Sequence, residues 1–112
     1  MAITLSNGSA TVGTTEYSLS NNSTTLASRT DDAIAQVLLD LNAMTSAETY
    51  EFRIIEKVNA GTQRTAYVTR FTGVQPELFV SPSIILGDGW DATLKKIAGT
   101  DRSIAWSIRT VA

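Results

Sequence analysis

"AIAQVLLDLNAM" (residues 33–44) is the stretch on which the fold class turns. Ile34, Val37, Leu38 and Leu41 recur at helical spacing, while Ala35, Val37, Leu39 and Leu41 recur at strand spacing. Its composition favours a helix, and Asp32 stands where an N-cap would. Its length and neighbours favour a strand, because the run is short and lies among strand-like segments. The reading adopted is a strand through Asp40 followed by a helical turn over residues 42–48. The chain is then all-β.

Downstream, "TYEFRIIEKV" (49–58) alternates, with Tyr50, Phe52 and Ile54 on one face, and "NAGT" supplies the glycine of a hairpin loop. "QRTAYVTRFTG" (63–73) returns with Tyr67 and Phe71 on a shared face. "ELFV" and "SIILG" flank Ser81-Pro82, which predicts an edge, a bend or a strand changing sheets, since proline cannot donate to a ladder. In "GWDATLKKIAGTDRSIAWSIRTVA" (89–112), Trp90, Ala92 and Leu94 share a face, as do Ile104, Trp106 and Ile108. These two runs read as a closing hairpin, with a bulge at Ile97, where the alternation breaks. Upstream, "AITLSNGSATV" reads as a hairpin turning at Asn7-Gly8, because both residues tolerate positive φ. "TTEYSLS" (14–20) reads as a third strand and "NNSTTLASRTDD" (21–32) as a long surface loop. About eight closely spaced strands predict an antiparallel β-sandwich, jelly-roll or Greek-key like.

The totals agree with one domain over residues 1–112. Hydrophobic residues make up 43%, enough for a core without help from metals or disulfides. Sixteen Thr and eleven Ser against three Lys suit half-solvated strands. Nine basic and eleven acidic side chains leave a net charge of −2 with no basic block, so no direct nucleic-acid partner is expected. No run reaches the roughly 18 apolar residues of a membrane span, and the opening lacks the basic region of a secretion signal. No membrane partner is expected.

Histidine and cysteine are both absent, which removes the commonest general base, the thiol nucleophile and the usual metal ligands. The acid pairs Asp31 with Asp32, and Asp88 with Asp91, sit in turn-like polar stretches and read as caps rather than a hydrolytic pair. "GDGWD" (87–91) lacks the alternating oxygen frame of a calcium loop. Trp90 and Trp106 suit a sugar-stacking platform in kind, yet each lies in phase with aliphatic neighbours, as core residues do. The chain is therefore expected to be no enzyme, with no catalytic, cofactor-binding or metal-binding residue, and no cofactor. Partner-contacting residues are not legible.

The segments "LLDLNAMTSAETYEFRIIEKV" and "ILGDGWDATLKKIAGTDRSIAWSIRTVA", with the opening "MAITLSNGSATVGTTEYSLS", resemble a group of small virion proteins of tailed bacteriophages. The resemblance covers most of the chain and carries no catalytic signature. It implies a β-sandwich in the particle, most specifically a decoration (cement) protein that binds and stabilises the phage head. The implied partners are the major capsid protein and further copies of the chain, a trimer by analogy. The implied location is the virion, after synthesis in the bacterial cytoplasm. The alternatives are a tail or fibre component and a carbohydrate-binding β-sandwich module.

Overall fold

Residues 33–40 do form a strand. The computed structural model describes residues 2–111, and among them nine strands build two antiparallel sheets that pack face to face. In chain order these are β1 (Ile3–Val12), β2 (Tyr17–Ser18), β3 (Ala33–Asp40), β4 (Thr49–Glu56), β5 (Arg64–Thr72), β6 (Phe79–Val80), β7 (Ile84–Leu86), β8 (Asp91–Ala98) and β9 (Arg102–Val111). One sheet runs β1-β9-β3-β6, with β7 also on β3; the other runs β2-β8-β4-β5. Alternation does the sorting. In β3, Ala35, Val37 and Leu39 are buried while Ile34 and Asp40 are exposed, the period-2 pattern of a half-buried strand.

The core lies between the sheets. Trp90, Tyr50, Phe52, Leu39 and Ile108 have essentially no exposed surface, and Trp106 is 5% exposed. Each such side chain removes enough apolar area from water to contribute roughly 1.5–3 kcal/mol. Phe52 meets Phe79 edge-on at 5.6 Å, and Phe79 meets Phe71 at 4.8 Å, so the aromatic contacts run from one sheet to the other. Tyr50 places a hydroxyl in the core and satisfies it there. Its Oη donates to the Val12 carbonyl at 2.6 Å and accepts from the Arg102 N–H at 2.8 Å.

Several sequence expectations require correction. The Asn7-Gly8 hairpin does not exist: β1 runs unbroken through it and pairs with β9 from Ile3↔Val111 to Val12↔Arg102. Gly8 lies opposite Trp106, and a Cβ there would stand 2.6 Å from the indole ring, so this glycine serves close approach rather than a turn. The closing hairpin is also absent. β8 and β9 are consecutive but belong to different sheets, each lying between two other strands. Asp91 and Thr93, on the outward side of β8, are buried as well, so alternation alone could not reveal which strands flank it. Residues 42–48 form two successive turns, closed by Met44 N–H to Leu41 and Glu48 N–H to Thr45, not a helical turn. The third strand shrinks to Tyr17–Ser18.

Other expectations hold. β4 and β5 are a hairpin, with Tyr67 and Phe71 packed on the core. The register of β4 with β8 slips where Ile97 falls, which is the bulge. Ser81-Pro82 divides an edge of the five-stranded sheet into β6 and β7. Ser81 repairs the gap: its N–H donates to the Val37 carbonyl at 2.9 Å and its Oγ accepts from the Val37 N–H at 2.8 Å.

Candidate functional site

The two outer faces of the sandwich differ in chemistry. On the four-stranded sheet the outward positions carry paired charges. Arg53 grips Glu16 with Nε and Nη2, the latter at 2.6 Å, and its Nη1 donates to Thr65 Oγ1 at 2.8 Å. Thr93 donates its hydroxyl to the same Glu16 carboxylate. Arg70 Nε lies 2.9 Å from Glu51, with Lys95 Nζ 4.0 Å from its other oxygen. The bond from Arg53, helped by Thr93, holds the Glu16 carboxyl below its ordinary value despite partial burial. This is a solvated face whose charges answer one another.

The five-stranded sheet presents the opposite. Its register aligns Ile3, Val111, Ile34 and Ile85 in one row across β1, β9, β3 and β7. Two residues along each strand the row becomes Leu5, Arg109 and Gln36, and beyond it Asn7, Ser107, Leu38 and Val80. Their strand neighbours Trp106, Ile108, Val37 and Leu39 are buried, so these rows face outward. Ile85 is 81% exposed, Ile3 60% and Leu5 54%; Ile34, Leu78 and Val80 are exposed as well. A shallow groove of about 290 Å³ opens on this face, lined in part by Leu5, Asn7, Leu38, Asp40, Leu78 and Arg109. Single exposed aliphatics are ordinary, whereas rows of them rimmed by polar groups mark contact surfaces.

No protein-family model, curated protein or solved structure matches this chain.

Of the four acidic residues singled out from sequence, Asp31 and Asp91 anchor loops through their carboxylates. The Arg29–Trp90 bridge and the bond from Trp90 Nε1 to the Asp31 carbonyl, at 2.9 Å, bring the 21–32 loop against the start of β8. Arg29 also stacks 4.0 Å above the Trp90 ring and pairs with Asp31 at 2.7 Å. That pair lowers the Asp31 carboxyl from its ordinary value. Asp91 is buried, and its two oxygens accept from the Ala27 and Ala92 N–H groups at 2.9 and 2.8 Å. Asp32 is exposed, and Asp88 is half-buried in the turn that receives Glu56. Among the described residues no group of three or more Asp or Glu is arranged to hold a metal ion.

Trp90 and Trp106 are both core residues, and among the described residues no aromatic side chain stands exposed as a stacking platform. The outward apolar rows escaped sequence reasoning because they depend on which strands adjoin. Ile34 and Ile85 lie far apart in sequence and become neighbours only through the β3–β7 register.

Proposed function

We propose that this protein is a non-enzymatic structural protein of a phage particle, a decoration protein that docks on the head through the outer face of its five-stranded sheet. The observation that carries the reading is the outward row Ile3–Val111–Ile34–Ile85, in which Ile3, Ile34 and Ile85 are exposed, on a molecule whose opposite face is an ion-paired solvent surface. A rigid sheet offering a flat apolar surface gains by covering it with another protein. The resemblance of the sequence to small virion proteins supports a partner in the particle, and the capsid shell is the partner proposed, with a tail component as the alternative.

We further propose that the sandwich is a jelly roll. The order β1-β9-β3 with β6 and β7, against β2-β8-β4-β5, is what results when one long antiparallel hairpin, tipped at the β4–β5 turn, rolls up on itself. Its successive pairs are β4 with β5, β3 with β6 and β7, β2 with β8, and β1 with β9. Viral capsid and lectin domains share this architecture, so it supports a virion role by analogy alone.

Quantitative mass spectrometry of purified DNA-filled heads tests the proposal. The expected result is a fixed, high copy number per head, and heads lacking the protein that break at lower temperature. Absence from heads, or a few copies confined to tails, would overturn it in favour of a tail component.

A further inference from the structure

We propose that the chain pairs with a second copy of itself through β1, the two strands running antiparallel about a two-fold axis perpendicular to the sheet at Leu5. Among the described residues β1 pairs only with β9, over ten residues without a register break, so from Ile3 to Asn7, where the strand is exposed, its other edge presents a straight row of free backbone groups. Sheet edges are commonly blunted by charge, proline, bulges or shortness. The other edges here are blunted: β5 carries Arg64 and Arg70, Ser81-Pro82 splits β6 from β7, and β2 has two residues. "ITLSNGSATV" has no charge, no proline and no bulge. From Ile3 to Asn7 it is exposed on both faces, so Thr4 and Ser6 on the core side lack cover as much as Ile3 and Leu5 outside.

A second copy suits this edge on three grounds. An uncharged strand meets its own antiparallel copy without like charges in opposition. The perpendicular two-fold keeps faces together, setting Leu5 against Leu5 of the second copy, Ile3 against its Asn7, and Thr4 against its Ser6. The pair also closes, because each copy spends its only unblunted edge, which prevents runaway strand addition. Arg109, beside Leu5 on β9, would lie three strand spacings from its equivalent, about 14 Å, beyond the screening length of physiological salt. This two-fold pairing is independent of the functional proposal and differs from the trimer that the resemblance implies.

The absence of cysteine makes a clean test. Directly opposed strand residues have Cα atoms about 4.5–5.5 Å apart, within disulfide range. Leu5→Cys should therefore cross-link to a covalent dimer under mild oxidation far faster than Val68→Cys on β5. Sedimentation of the unaltered chain should show a concentration-dependent dimer. Leu5→Lys, which sets two ammonium groups across the axis, should raise its dissociation constant about tenfold or more with an unchanged circular dichroism spectrum. A monomer at the highest soluble concentration, equal cross-linking at the two cysteines, or a dimer indifferent to Leu5→Lys would each overturn the proposal.

Discussion

Glu48 has no exposed surface, and its carboxylate is held from several sides. Arg102 Nε donates at 2.9 Å, the Thr45 N–H at 2.7 Å and the Thr45 hydroxyl at 2.9 Å, while the Thr100 N–H reaches it at 3.3 Å. The bond from Arg102, followed by those from Thr45, lowers its pKa from 4.5 to about 2. A carboxyl lowered on folding contributes stability above its unfolded pKa and loses that contribution as pH falls through the folded one. The stability conferred by Glu48 should thus fade between pH 4.5 and about 2. Glu48→Gln should be less stable than the parent at pH 7, and urea titrations should show the gap narrowing towards pH 2. A gap independent of pH would assign the loss to packing instead. Trp106 and Gly8 make a second test at this scale. Trp106→Ala should cost about 3–5 kcal/mol in denaturant unfolding. Gly8→Ala, which drives a methyl into the indole, should cost about 1–3 kcal/mol. The burial of both tryptophans was legible from alternation along their own strands. The role of Gly8 was not, because the local signal of Asn-Gly is identical for a turn and for a close approach to a ring on another strand.

Elements were legible where the signal was local and illegible where it concerned pairing. β4 and β5 follow from period-2 alternation and the Ile97 bulge from its interruption, whereas β3 fits both periods and follows from its shortness and its strand-like neighbours. The joining of β8 to β9 was misread because a short link with Gly99 is also what a hairpin would use. Here Gly99 has φ +89°, and a Cβ there would stand 2.6 Å from the Ala47 carbonyl oxygen and 2.8 Å from Glu48, so the glycine is needed where the chain crosses between sheets. The β4–β5 link shows a different economy. Asn59 and Ala60 both have positive φ, and the Gly61 N–H donates to the Val58 carbonyl at 3.1 Å, the pattern of a type I′ turn. Asparagine tolerates that region, whereas alanine is strained by about 1–2 kcal/mol. Ala60→Gly should therefore stabilise the protein by about 1 kcal/mol, net of the extra freedom glycine gives the unfolded chain. A shift in denaturant midpoint at unchanged slope is the expected sign; a loss of stability would contradict the turn geometry.

At the scale of the molecule, the same register that buries Val37, Leu39, Trp106 and Ile108 leaves Ile34, Ile85, Ile3 and Leu5 outside. The sheet cannot avoid this: β3 and β7 place large aliphatics on both faces, and only one face has a sheet packed over it. If the outer face seats the protein on a shell, its most exposed member should matter for docking and not for folding. Ile85 is 81% exposed, so Ile85→Lys removes no core contact, and its melting temperature should match that of the parent. Covering one such side chain contributes roughly 1.5–3 kcal/mol, and a buried lysine adds a desolvation cost. Affinity for heads stripped of the protein should accordingly fall about tenfold or more. Val58→Lys serves as the control, since Val58 is 84% exposed in the β4–β5 turn, on the other sheet. Rebinding to stripped heads measures both variants side by side. Equal rebinding by Ile85→Lys and the parent would remove the five-stranded face as the docking surface. A loss confined to Val58→Lys would transfer docking to the hairpin tip.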